Sequence, residues 1–339
     1  MKPLATPAGR PPLVDALDRA LGDGVGALDP AVPAALWRRA LAGPAEAFLA
    51  RPGKELRTRL VHAGWTLGGG APDALPEQLA LVLEILHAGS LIIDDVEDGA
   101  ELRRGAPALH RQVGVPVAIN TGSWMYFWAL AELGRLGLPP DRELAAHQLA
   151  VTTLVRAHQG QSLDLATRVD ELDPVHVTAV VAAIARLKTG ALCRLATELG
   201  ALAAGAPAPA RAAVGRFGES AGIALQMLDD LGAIASPARR AKAHEDLRGA
   251  RPTWPWAWLA ERDPFAWTRL ARQVRAVQAD ALDPDQLADA LAELVVPLAR
   301  ARVRATLTTT LDELAAALGP GPAFDAIAAD LRHMEHSYG

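Results

Sequence analysis

Cysteine is nearly absent: Cys193 is the only one in 339 residues, so no intrachain disulfide can form and a reducing compartment is expected. Aromatic side chains make up only 4%, while half the residues are hydrophobic and Ala and Leu dominate, enough to fill a large core. There is no excess of positive charge. The formal net charge of −5 removes the electrostatic case for nucleic acid. No run reaches about 18 uncharged apolar residues, so no integral membrane segment is expected. The opening MKPLATPAGRPP lacks the apolar core of a secretory signal and reads as a loose tail, which with the single cysteine gives a cytoplasmic expectation. Short-period repeats, heptad runs and dividing linkers are missing as well.

What is present is helical periodicity. Helices are expected over 13–21, 30–49, 51–67, a long segment after Pro76 that takes in Glu84 to Gly105, two segments between Pro107 and Leu133, one from Asp141, and one over 174–202. Others follow up to Asp230 and at 264–277, 284–318 and 322–336. Trp254, Trp256 and Trp258 alternate as in a strand, but with no other strand in the chain they read as the start of a further helix. The segment 236–253, polar and basic, reads as a long loop of the kind that covers a site. The fold class is all-α. The division expected is residues 1–28 as a flexible Pro-rich tail with a first short helix, then one domain over 29–339.

The chemistry concentrates in EILHAGSLIIDDVEDGAELRRG, Glu84 to Gly105. Asp94 and Asp98 lie one turn apart on one helix face, where like charges repel. A hard divalent cation such as Mg²⁺ resolves that conflict, since it is held by one or two carboxylates plus substrate phosphates; a solvated helix end explains it equally well. Arg103 and Arg104 follow, a guanidinium pair suited to phosphate oxygens. A second acidic pair, Asp229-Asp230, ends another apolar stretch, with Gln226 one turn ahead of Asp230. Two acid-bearing helices suggest two walls of one metal-lined cavity. Lys54 and Arg57 put two cations near a helix N-terminus, against the helix dipole, as an anion site or as ordinary surface charge. Gln161 and Asp164 are polar among apolar neighbours, and either a satisfied core pair or a functional one fits. Gly190, after Lys188 and Thr189, interrupts a strong helix and hints at a bend or a close approach. The cluster Trp124, Tyr126, Phe127 and Trp128 is core or binding wall.

From Gly53 to Pro255 the collinear segments GKELR, ILHAGSLIIDDVEDGAELRRG, HQGQSLDL, KTG, LQMLDD and EDLRGARPTWP resemble the trans-isoprenyl diphosphate synthases, or polyprenyl synthetases. The likeness is greatest to geranylgeranyl-type enzymes, on Ile93, Glu97 and the ELRRG continuation. The resemblance implies an isoprenoid synthase fold, a helical bundle around a deep apolar cavity, in a homodimer. It implies condensation of isopentenyl diphosphate with dimethylallyl, geranyl or farnesyl diphosphate by ionisation, condensation and elimination, giving all-trans geranylgeranyl diphosphate.

By the same resemblance, Asp94, Asp98 and Asp229, supported by Asp95 and Asp230, hold three Mg²⁺ ions, with Mn²⁺ an alternative. Arg103, Lys188 and Arg251 bind the allylic diphosphate. Lys54, Arg57, His87 and Arg104 bind that of isopentenyl diphosphate. Thr189 and Gln226 stabilise the carbocation. The chain departs from the pattern at Ala233, where a third acid is common, at Ala250-Arg251 for Gly-Lys, and at Ala241 for a Lys. Small Gly89 and Ser90 leave the cavity open past fifteen carbons, with Trp124, Tyr126 and Phe127 as its floor, so a twenty-carbon product is expected. A terpene cyclase on this scaffold, or a weakly catalytic partner subunit of a heteromeric synthase, are the competing readings.

Overall fold

The computed structural model describes residues 11–22, 26–53 and 56–338, with side chains as far as residue 332. The tail expected over the first ten residues therefore lies outside the described residues. Two compact units emerge from the contacts, residues 1–59 with 74–147 and residues 60–73 with 148–339.

The first unit holds α1 (Pro12–Gly22), α2 (Ala34–Trp37), a π turn at Arg38–Ala42 and α3 (Gly43–Leu49). The first residues of α4 (Leu56–Leu67) belong to it, and then α5 (Glu77–Glu97). A hairpin follows, β1 (Leu102–Arg103) with β2 (Ala106–Pro107), then α6 (Leu109–Val113), α7 (Val115–Leu133) and the start of α8 (Pro140–Ala166). The hairpin corrects the expectation that strands are absent. Leu102 pairs with Pro107 and Arg103 with Ala106, so Arg104 and Gly105 form a two-residue turn. Their φ angles of 53° and 76° are both positive, as the right-handed twist of a tight hairpin requires. Gly105 meets that demand without strain, and Arg104 takes the left-handed region at a cost of about 1 kcal/mol.

α5 and α7 are the core of this unit, and they approach closely because each carries a glycine at the crossing. A Cβ on Gly89 would lie 2.8 Å from the Gly122 carbonyl oxygen and 3.1 Å from Met125 Cβ. Along α5 the buried set Leu79, Val82, Leu83, Ile85, Leu86, Ile92 follows the helical period, and Asp95 falls on that same inward face.

The second unit contains the rest of α4 and α8, then α9 (Pro174–Ala185), a π turn at Arg186–Gly190 and α10 (Ala191–Ala204). α11 (Ala208–Ala235), α12 (Arg240–Arg248), α13 (Trp254–Arg262), α14 (Pro264–Ala271), α15 (Val274–Gln278), α16 (Pro284–Leu318) and α17 (Pro322–Tyr338) complete it. Asp173, Asp263 and Asp283 each stand before a proline and accept a backbone N–H of the helix they open. An acid cap followed by a proline, whose missing N–H costs nothing at that position, explains three helix starts. The tryptophan stretch begins α13 as expected, with Trp256 and Trp258 each 1% exposed.

The segment 236–253 is helical over Arg240–Arg248, which corrects the loop expectation. Its cations each have an acid within reach: Lys242 Nζ donates to Asp246 at 2.8 Å one turn on, and Arg240 to Asp289 on α16 at 2.6 Å. The second pair, spread over 49 residues of sequence, is invisible to local pattern. The run Pro174–Ala204 has the length and composition to cross a membrane, with a mean hydropathy of 1.4 over its best window. It is also interrupted by Arg186, Lys188 and Arg194, and α10 packs along α11 with Leu195, Leu199 and Cys193 wholly buried, as a core helix does.

Candidate functional site

In the first unit the three acids of α5 divide by helix geometry. Adjacent residues point about 100° apart, so Asp94 and Asp95 cannot share a face. Asp94 keeps 28% of its side chain exposed, whereas Asp95 is fully buried. Asp98 caps the helix, its N–H donating to the Asp94 carbonyl at 2.9 Å. Arg103 on β1 turns both donors to Asp95, Nε at 2.6 Å and Nη2 beside it, with Nη2 also 3.9 Å from Asp94. Burial pushes the Asp95 carboxyl upward and Arg103 pulls it back. Asp95 Oδ2 is buried with no hydrogen-bond partner.

Around this centre the first unit gathers cations. Arg51 donates to the carbonyls of Arg103 and Pro107 at 3.1 and 3.0 Å, tying α3 to both strands. Arg104 returns the contact, donating to the Arg51 carbonyl at 3.3 Å. Both guanidinium groups lie over Phe48, 5.3 and 5.9 Å from its ring centre. His87 on α5 is held neutral, its pKa driven well below the ordinary histidine value by burial and then by Arg57, Arg104 and Arg103. Three guanidiniums converging on one imidazole form a field that an anion would relieve. Ser90 Oγ donates to the His87 carbonyl at 2.9 Å and lies 3.4 Å from Nδ1. Arg57 comes from the start of α4, where Thr58 anchors to Glu84 through its N–H and hydroxyl. Lys54, expected beside Arg57, lies outside the described residues.

In the second unit α11 repeats the division of adjacent acids. Asp229 is 35% exposed at its side chain and pairs with Arg239. Asp230 is buried; it accepts from Gln226 Nε2 at 2.8 Å and from the Trp254 N–H at 3.0 Å. Gln226 Oε1 in turn accepts from Thr189 Oγ1 at 2.8 Å, so the two residues expected to act together are joined. Desolvation pushes the Asp230 carboxyl up to about 7, with Asp246 adding to the rise. Lys188, Asp164 and Arg251 form a second knot: Lys188 Nζ donates to Asp164 Oδ2 at 2.6 Å, and Arg251 donates to the Asp164 carbonyl at 2.6 Å. The π turn Arg186–Gly190 that carries Lys188 and Thr189 is the bend hinted at by Gly190.

The departures from the family pattern acquire physical form. Ala250 has φ 53°, a left-handed conformation natural to glycine, and the Val169 N–H bonds its carbonyl at 2.8 Å. Lys242 supplies the cation for Asp246 that Ala241 cannot. Ala233 is 1% exposed, its methyl taken up by the core.

Two chain-length expectations are corrected. Gly89 is small because Gly122 and Met125 press against it, so its missing side chain serves helix packing rather than open space. Phe127 is 71% exposed and borders, with Trp124, a small outer cleft that also touches Ala20, so neither lies on the face of α7 turned to Gly89. Trp124 instead stacks on Trp128 at 5.2 Å. The residues opposite Gly89 are Gly122, Met125 and Tyr126. Tyr126, whose hydroxyl is pushed out of the ordinary range by burial and then by Glu97 and Asp94, stands near the acids.

Sequence reasoning missed Arg51, Phe48, Arg239, Lys242 and the Trp254 N–H. Only Lys242 had a local signal, its one-turn spacing to Asp246. Among the described residues no three His, Cys, Asp or Glu side chains form a ready cation cage. Hard carboxylates present singly or in pairs do fit Mg²⁺, which takes the rest of its oxygens from substrate phosphates and water.

Residues 38–291 match the model of a family described as polyprenyl synthetase. Among curated proteins, "geranylgeranyl pyrophosphate synthase 2" of Zymoseptoria tritici is 36% identical over 192 residues, 56% of this chain and 54% of that one. The chain spans about half the length of the curated relatives it matches. Among solved structures, the geranylgeranyl pyrophosphate synthase of Lactobacillus brevis aligns with a TM-score of 0.76 at 23% identity, covering 96% of this chain and 94% of that one. A decaprenyl diphosphate synthase of Rhodobacter capsulatus aligns at 0.74 and 20% identity, covering 96% and 99%. At such identities the shared property is the fold, and it is common to proteins named for products of different length.

Proposed function

Because the chain belongs to the polyprenyl synthetase family, we propose that it is a prenyltransferase condensing isopentenyl diphosphate with allylic diphosphates to give all-trans geranylgeranyl diphosphate. The observation that supports this reading is the presence of two separate groups of cations. Arg57, Arg103 and Arg104 converge on a neutral His87 in one unit, and Lys188 and Arg251 meet on Asp164 in the other. An enzyme that only ionised one diphosphate would need one set.

Asp94 and Asp98 in the first unit, and Asp229 in the second, would hold Mg²⁺, which would supply Lewis acidity to a departing diphosphate. Arg103, fixed by Asp95, presents a guanidinium to the allylic diphosphate, and Lys188 and Arg251 do the same from their own knot. Thr189 orients the Gln226 amide, whose oxygen keeps a second lone pair toward a developing allylic cation. Arg57, Arg104 and His87 grip isopentenyl diphosphate, which leaves its double bond to attack. The apolar faces of α5 and α7 keep water from the cation. Tyr126 and Met125, rather than Trp124, set the depth available to the growing chain.

A second copy of the chain is the partner. Gln148, Val151, Val155, His158, Ser162 and Leu165 of α8 are all exposed and recur at alternating spacings of three and four, the seam of a helix pair. Three Mg²⁺ ions per site and a cytoplasmic setting complete the reading.

The test is the purified protein with Mg²⁺, isopentenyl diphosphate and dimethylallyl, geranyl or farnesyl diphosphate in turn. Elongated diphosphates, with Arg104→Gln raising KM for isopentenyl diphosphate roughly tenfold or more for a lost charge-assisted bond, are expected. Hydrocarbon or alcohol released without isopentenyl diphosphate would establish the cyclase instead.

A further inference from the structure

The first three cations of the basic segment after α11, Arg239, Arg240 and Lys242, have three different destinations. Arg240 goes to Asp285 and Asp289, and Lys242 goes to Asp246, both on the helical side. Arg239 alone turns back to the acidic motif, pairing with Asp229. The chain makes this return possible in two steps. Ser236 is extended at φ −111° and ψ 121°, ending α11, and the tight turn Pro237–Arg239 reverses direction, with the Arg239 N–H on the Ser236 carbonyl at 3.0 Å. The guanidinium then crosses α11 at Gly232, where a Cβ would fall within the Arg239 guanidinium. A methyl at that position would force the end of the Arg239 side chain to shift. Ala233, one turn beyond Asp229, adds no carboxylate of its own.

We propose that Arg239 is a positioning residue that occupies the Asp229 carboxylate in the metal-free chain, competing with a divalent cation for it and withholding the metal until substrate phosphates supply the remaining oxygens. This inference rests on the prenyltransferase reading for the identity of the metal site. The physical basis is electrostatic competition: a guanidinium seated on Asp229 Oδ1 takes up part of the carboxylate's field and repels a cation arriving at the same group. With a third acid at position 233, two carboxylates would outbid one arginine. With Ala233, a single ion pair is enough to set the order of binding.

The test is Mn²⁺ alone, titrated into the metal-free full-length protein and followed by electron paramagnetic resonance of the free ion. Arg239→Gln should bind Mn²⁺ about fivefold more tightly at the Asp229 site, the factor expected for losing one partly exposed ion pair. Arg239→Lys should restore weaker binding. Gly232→Ala, which leaves Arg239 intact and moves it off Asp229, should tighten binding as Arg239→Gln does, and Asp229→Asn should abolish the difference between variants. Equal affinity in the parent chain and in both Arg239→Gln and Gly232→Ala would overturn the proposal, and so would the lack of any Asp229-dependent binding. Prenyl transfer by the parent chain, measured on the same preparation, tests the functional reading separately.

Discussion

The two acidic helices solve one problem in opposite ways. In each, an adjacent pair of aspartates places one carboxylate in the open and its neighbour in the core. On α5 the buried member, Asp95, meets a guanidinium that clamps it through two nitrogens. On α11 the buried member, Asp230, meets only an amide and a backbone N–H, and its pKa climbs to about 7. Burial raises both carboxyls, and the guanidinium pulls Asp95 back toward its charged form, while Asp230 has no cation among its hydrogen-bond donors. The consequence is mechanical. Asp95 fixes the arginine that would grip substrate, whereas Asp230 fixes a glutamine–threonine dipole and the start of α13. The α5 motif is thereby an electrostatic device, and the α11 motif a hydrogen-bonding one.

The comparison breaks most visibly with pH. Asp230 in the native state keeps a proton that the unfolded chain releases near pH 4, so the native state binds more protons between about 4 and 7 and stability falls as pH rises through that window. A three-unit rise corresponds to a loss of about 4 kcal/mol. Urea unfolding of Asp230→Asn should show a shallower fall in stability over that range than the parent chain.

Next in size is Arg103→Leu, which leaves Asp95 buried without its cation. The expected cost at neutral pH is about 2 kcal/mol, below the full value for a buried pair because Arg103 is partly exposed. It should also create an acid-side dependence like that of Asp230, with the variant regaining stability as pH falls. Adding Asp95→Leu should recover most of the loss.

The cation cluster responds to pH in the other direction. An arriving diphosphate favours the charged imidazole, so His87 takes up a proton on binding. Calorimetry of inorganic pyrophosphate in two buffers of different ionisation enthalpy should detect that uptake, and His87→Gln should lose it. The smallest effect is at Ala250. Ala250→Gly should stabilise by about 0.5 kcal/mol, the left-handed strain relieved less the added chain entropy of glycine.

Much of this was legible in the chain. Asp94 and Asp98, Gln226 with Asp230, and the Lys188-Thr189-Gly190 break follow from helical spacing alone, whereas the hydrogen bond from Thr189 to Gln226 joins residues 37 apart and is visible only in the structure. Periodicity reports which residues share a face, and it does not report which face meets which neighbour. That is why Gly89 was read as open space when it is a crossing point with Gly122, and why Trp124 and Phe127 were placed on the wrong side of α7. The hairpin at Arg103–Ala106 was hidden because two-residue strands leave no alternation to read. Arg239 was hidden because its partner lies ten residues back across a chain reversal. The acidic and basic pairs of 236–253 disguised a helix as a loop, since polarity there comes from contacts with α16 rather than with water.

The measurement that tests the central claim most directly is the mass of the product made from isopentenyl diphosphate and farnesyl diphosphate with Mg²⁺. The account predicts a single twenty-carbon diphosphate, unchanged in Trp124→Ala and lengthened in Tyr126→Ala. Products that stop at fifteen carbons, run beyond twenty, or form without isopentenyl diphosphate would contradict it.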